Sequence, residues 1–184
     1  MNTKYSKKRI NKKGFTLIEL LAVIVILAIL VMLAIPAVTR YLTAARQGAF
    51  SDNAHRAIDA VRTDVITKGF YQTSKTGITC KNATCTYTLD AINPLLEREL
   101  KNSPFGPEYD CAIVTVAQTE GTNGQANYTY TMTLIDKGKN GFKDKDEKAI
   151  NSDAIELNKS SLTCPDATAQ TPEEGSGTGT GTGA

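Results

Sequence analysis

Histidine occurs once in the 184 residues, at His55. A Ser–His or Cys–His nucleophile pair needs an imidazole beside the nucleophile, and nothing in the sequence puts His55 in such a pattern. A solitary histidine among the charges of a helix reads as solvated. No Gly-rich phosphate loop is present either. Glycine and proline are absent from Phe15 to Ile35, and charge is nearly so: Glu19 is the single ionisable side chain there. These gaps argue against an enzyme and leave an uninterrupted apolar helix as the dominant feature.

That helix rises about 1.5 Å per residue and spans roughly 30 Å, the thickness of a hydrocarbon core. Leu, Ile, Val and Ala cover every side of it, so it has no polar face to lay on a membrane surface. A carboxylate within such a segment costs on the order of 2.5 kcal/mol or more, and asks for a partner. No cation lies inside the segment. Cutting the chain after Gly14 would create an α-amino group at Phe15. That amine is poorly placed for Glu19 of its own helix, whereas the amine of a neighbouring copy, one axial step away, can meet it. The expectation is a staggered helical polymer of packed apolar helices.

The net charge of +2 hides a division. Lys4, Lys7, Lys8, Arg9, Lys12 and Lys13 all precede the apolar run; without these six, 15 basic residues face 19 acidic ones, a balance of −4. By the positive-inside bias the basic leader stays in the cytoplasm and the remainder is exported. The topology accounts for the lysines, and no direct nucleic-acid binding is expected.

The stretch Lys12-Lys13-Gly14-Phe15-Thr16-Leu17-Ile18-Glu19-Leu20-Leu21 resembles the prepilin peptidase site of type IV pilins, and Pro36 matches the proline that commonly follows the membrane-embedded part of pilin helices. The resemblance covers the first third of the chain. It implies cleavage between Gly14 and Phe15, N-methylation of Phe15, alignment of subunits by Glu19 and a filament core made of the helices. It implies an α+β pilin-like fold, with the long N-terminal helix packed on a small antiparallel β-sheet. It also implies prepilin peptidase, a pilus assembly platform and other copies of the chain as partners, with a single-span membrane precursor passing into an extracellular filament. A type II secretion pseudopilin, a competence pilin or a membrane-anchored binding protein that never polymerises are the alternatives.

The organisation expected is a leader at 1–14, a membrane or filament-core helix at 15–35, its amphipathic continuation at 36–70, a globular head at 71–164 and a disordered Thr/Gly-rich tail at 165–184. Pro36 should kink or loosen the helix. Beyond it Val38, Leu42, Ala45, Ala49, Ala54, Ile58, Val61 and Val65 keep helical spacing on one apolar face, and Gly69 is the expected stop. Residues 72–88 read as a loop with a short strand near Thr86–Leu89. Asn93-Pro94 reads as a helix start, with the helix continuing through Leu100. Tyr109–Gln118 and Ala126–Asp136 alternate as strands. Asn140-Gly141 is a hairpin turn, with Glu147–Ile150 as its return strand and a further short strand within Ala154–Leu162.

Cys80, Cys85, Cys111 and Cys164 all fall in the exported part, where disulfides persist. Four cysteines allow three connectivities. Cys80–Cys85 as a short loop closure and Cys111–Cys164 as a clasp for the C-terminal segment are favoured; the second is similar to the disulfide-bounded C-terminal region of many pilins. Zinc is the competing reading, disfavoured by the spacing. No cofactor is expected, with one qualification. Asp136, Asn140, Gly141, Asp144 and Glu147 fall at positions one, five, six, nine and twelve of a calcium loop. Against it, position three is Gly138, and Lys137, Lys139, Lys143 and Lys145 surround the site; the competing reading is a charged β-hairpin tip.

Overall fold

A computed structural model describes residues 14–71, 76–121 and 124–165. The leader before Gly14 and the tail after Pro165 lie outside these residues. The chain divides into two compact units, Met1–Thr43 and Ala44–Ala184.

In the first unit the described chain is helix from Leu17 on. α1 runs Leu17–Lys68 and so contributes to both units. Its apolar portion is the only helix among the described residues long and apolar enough to cross a bilayer, with a mean hydropathy of 3.2 over its most apolar window and none of that window buried. The helix passes Pro36 without interruption. The Thr39 hydroxyl donates to the Pro36 carbonyl at 3.1 Å, and Thr43 to the Thr39 carbonyl at 3.0 Å. These are local back-bonds of the kind that accompany bends in apolar helices.

In the second unit α1 buries Phe50, Ala54, Ala57, Ile58, Val61 and Val65, the three/four spacing of one face. The apolar stripe read from the sequence starts too early. Val38 and Leu42 are exposed, as are Ala45 and Ala49, and the core begins at Phe50. Phe50 was masked in the pattern by the small residues before it. Its ring meets Phe105, Tyr109 and Phe142 at centroid distances of 5.9, 5.5 and 6.2 Å. Gly69 ends the helix as expected: its φ is +87°, and its N–H donates to the Val65 carbonyl at 3.0 Å.

Five antiparallel strands follow as a meander in the order β1-β2-β3-β4-β5. They are β1 Ile78–Lys81, β2 Thr84–Thr88, β3 Tyr109–Glu120, β4 Ala126–Asp136 and β5 Gly141–Asp146. Tyr87, Val114, Val116, Met132 and Leu134 share one core cluster with the buried face of α1. This is the α+β arrangement expected.

Four local readings need correction. The 72–88 loop contains a hairpin: β1 and β2 pair Cys80 with Cys85 across a turn in which Asn82 takes a φ of +54°. The short helix forms earlier than Asn93, as α2 at Leu89–Ile92, then continues as a 3-10 turn at Asn93–Leu95. The Asn93 side chain does not cap the expected helix; it accepts from the Leu100 N–H at 2.8 Å and folds the chain back. The return strand of the last hairpin is Gly141–Asp146, and Glu147–Ala149 is a 3-10 turn. Near the C-terminus, among the described residues, a single bridge between Gly141 and Glu156 forms in place of the expected strand.

Candidate functional site

Gly14, Phe15 and Thr16 are exposed and precede the first residue of α1. Thr16 is the residue from which the helix starts: the Leu20 N–H donates to its carbonyl at 3.2 Å. Three residues on, the Glu19 carboxylate folds back. Its Oε2 accepts from the Thr16 N–H and from the Thr16 hydroxyl, each at 2.8 Å, while the Glu19 N–H points at the Thr16 hydroxyl oxygen at 3.4 Å. This is the reciprocal Thr-x-x-Glu arrangement that satisfies donors left over at a helix start. The negative charge also lies at the positive end of the helix dipole.

The sequence reading held that nothing within the segment could pair with Glu19. The structure corrects this. Only cations were counted, whereas a hydroxyl and a backbone N–H serve as donors. Both bonds go to Oε2, and Oε1 accepts none among the described residues. From Phe15 to Ile35 every side chain is exposed within its own unit, with Phe15 at 90% and Leu17 at 81%.

Both disulfides are present in the second unit. Cys80–Cys85 spans two paired positions of the β1–β2 hairpin, with Cα atoms 4.0 Å apart. Cys111–Cys164 ties the C-terminal segment to the start of β3 across 53 residues of sequence. That segment is clasped elsewhere as well. Glu147 accepts from Arg62 at 2.5 Å, and the His55 Nε2 lies 3.0 Å from the Ile150 carbonyl oxygen. His55 is therefore a half-buried fastener between α1 and the C-terminal segment, not the solvated histidine expected. The Arg62 guanidinium also sits 4.8 Å over the Tyr130 ring. The hydrogen bond that Arg62 donates to Glu147 raises the already high guanidinium pKa.

The four ligand side chains of the calcium reading, Asp136, Asn140, Asp144 and Glu147, lie along the β4–β5 hairpin and the turn after it, each with protein partners of its own. Asp136 is fully buried; it accepts from the Ser103 hydroxyl at 2.6 Å and from the Asn140 backbone N–H at 2.9 Å. Asn140 spends its side-chain N–H bonds on the same carboxylate. Asp144 exchanges bonds with Thr133, accepting from its hydroxyl at 3.0 Å. Glu147 is held by Arg62. Among the described residues no three acidic, histidine or cysteine side chains converge as a metal cluster. The lysines at the tip pair outward: Lys137 with Glu108 at 2.6 Å, Lys139 with Asp110 at 3.6 Å. The Lys137 hydrogen bond lowers the Glu108 pKa and raises its own. The geometry is that of a charged hairpin tip fastened to the 103–108 loop.

Residues 9–35 match the family model of the prokaryotic N-terminal methylation motif. This motif is the class III signal peptide of type IV pilins and pseudopilins; it supports a pilin-like or pseudopilin substrate of prepilin peptidase and, with the apolar helix, fits a membrane-anchored precursor. No curated protein and no solved structure matches the chain.

Proposed function

We propose that the mature chain, beginning at Phe15, is the structural subunit of a homopolymeric type IV pilus filament assembled by a pilus platform. Its work is assembly and not catalysis. Outside a bilayer the apolar helix has to be covered, at about 25 cal/mol for each Å² of apolar surface removed from water. Packed copies of the same helix provide that cover. The observation that carries the reading is the half-satisfied carboxylate. Thr16 engages Glu19 Oε2 and leaves Oε1 open, and a neighbour's Phe15 ammonium is the complementary donor. The two disulfides make the head rugged enough for the cell surface, where adhesion, motility or DNA uptake would be set by exposed loops.

Mass spectrometry of the exported protein tests the first step: a mass beginning at methylated Phe15, with both disulfides intact, is expected. Electron microscopy of the source cells tests the second. Filaments that disappear with Glu19→Ala support the pilin reading. Processed protein that stays in the membrane as single subunits would replace it with a tethered binding module, and short fibres confined to the envelope would favour the pseudopilin.

A further inference from the structure

The sheet has an unguarded edge. β5 pairs with β4 only from Thr131 to Ile135, while β3 pairs with β4 along its whole length, out to Glu120 opposite Ala126. Residues 126–130 of β4 are therefore paired on one side alone. Their hydrogen-bonding direction follows from the loop that starts the strand. The Gly121 N–H donates to the Gln125 carbonyl at 2.8 Å, so in an antiparallel ladder Asn127 and Thr129 also turn toward β3. Ala126, Tyr128 and Tyr130 then direct N–H and C=O the other way. Among the described residues no strand pairs with Ala126 or Tyr128 on that side, whereas the Thr131–Asp146 pairing brings the Glu147 N–H to the Tyr130 carbonyl.

The other two edges are protected in the usual ways. β1 is four residues long and ends in Lys81. β5 carries Lys143 and Lys145 and a bulge where Asp144, at a φ of +47°, meets Thr133. The β4 edge has no such guard: no charged residue occurs between Glu120 and Asp136. Beside it lies a cleft of about 500 Å³, walled by Tyr128, Thr129 and Tyr130 on one side and by Asp146 to Ala149 on the other. Of the acids in the far wall, Glu147 is already neutralised by Arg62.

We infer that the free half of β4 is a strand-addition site that takes an uncharged extended peptide from another protein, held by the edge groups of Ala126 and Tyr128 and by the Tyr130 N–H. Donors and acceptors that repeat every second residue, about 6.7 Å apart, are matched by an extended backbone. The cleft is concave, so a single strand enters it, whereas a second copy would bring its own wall against this one. The inference is independent of how the N-terminal helix is used.

Amide hydrogen exchange on the full chain in detergent micelles reads the site directly. The probe is a capped synthetic heptapeptide, Thr-Val-Thr-Tyr-Thr-Val-Thr. Alone, the Tyr128 amide should exchange fast and the Thr129 amide slowly. With peptide, Tyr128 and Tyr130 should slow by about tenfold or more. A peptide N-methylated at alternate residues should have no effect, and Thr129→Lys, an exposed substitution that places a charge on the edge, should abolish the protection. Three results overturn the inference. The first is Tyr128 already protected in the free protein. The second is equal effects of the plain and N-methylated peptides, or none from either at millimolar concentration. The third is protection that rises with protein concentration alone, which would make the occupant a second copy.

Discussion

Glu19 and Thr16 satisfy one another across the first turn of α1, two donors of Thr16 meeting a single carboxylate oxygen of Glu19. The acid that looked isolated in the sequence is thus already half-accommodated before any second copy arrives. A carboxylate in this state can wait near the membrane surface and still offer Oε1 to an ammonium.

Thr16→Val keeps the shape of the side chain and removes the hydroxyl. Losing an N-cap oxygen costs about 1 kcal/mol. The variant should still be cleaved after Gly14, since the leader and Gly14 are untouched, but should yield fewer filaments. Thr16→Ser should restore them. Quantifying sheared filaments against total processed protein checks this. Normal filament yield from Thr16→Val would show that Glu19 does not depend on the cap.

The two disulfides close loops of very different length, five residues of separation against 53. On chain entropy alone the short loop stabilises by about 2 kcal/mol and the long one by about 4 kcal/mol. Replacing Cys111 and Cys164 together by Ala should therefore lower the guanidinium midpoint about twice as much as replacing Cys80 and Cys85 together. The order should not reverse, because Cys164 also anchors the segment that His55 and Arg62 grip.

Gly141 follows Asn140 where β5 begins, with a φ of +145°. A Cβ there would stand 2.0 Å from the Leu134 carbonyl oxygen and 2.9 Å from the Ile135 Cα. Both are backbone atoms of the paired strand and cannot step aside. Gly141→Ala should cost about 3 kcal/mol or more and lower the melting temperature. Gly124→Ala is the control: its φ of +72° is also positive, but nothing lies within 4 Å of the built Cβ.

Periodicity carried what it could. The apolar run, the alternation of Tyr128, Tyr130, Met132 and Leu134, and the Gly69 stop were legible because each depends on neighbours in sequence. What failed depended on partners far along the chain. Asn93 was read as a helix cap from its local context, yet its oxygen is taken by Leu100. His55 was read as solvated because its partner, the Ile150 carbonyl, lies 95 positions away. Spacing alone left Asp136 between a calcium loop and a hairpin tip, and the Ser103 that completes its surroundings comes from a separate loop. The Thr16–Glu19 cap could have been found from Thr-x-x-Glu alone. A count of countercharges alone does not reveal it, because its donors are a hydroxyl and a backbone N–H.

Tyr87 and Tyr109 provide the last test. Burial, reinforced by the Asp64 carboxylate, pushes the Tyr87 phenol up to about 12; burial does the same for Tyr109, also to about 12. In the unfolded chain a tyrosine titrates near about 10. A raised pKa means that the folded state favours the neutral phenol, so this contribution is fully present below pH 10 and is lost as pH rises from about 10 to about 12. The hydroxyls differ in one respect. Tyr109 accepts from the Asn53 amide at 3.0 Å, whereas the Tyr87 hydroxyl is buried with no hydrogen-bond partner among the described residues. At pH 7 Tyr87→Phe should therefore leave stability unchanged or raise it slightly, while Tyr109→Phe should cost about 1 kcal/mol by stranding Asn53. Above pH 10 the order changes: both variants should lose stability less steeply than the parent, because each has lost one group that must ionise to unfold. Denaturant midpoints at pH 7, 10 and 11.5 resolve the two effects. A Tyr87→Phe protein that falls as steeply as the parent between pH 10 and 11.5 would show that this phenol does not titrate on unfolding.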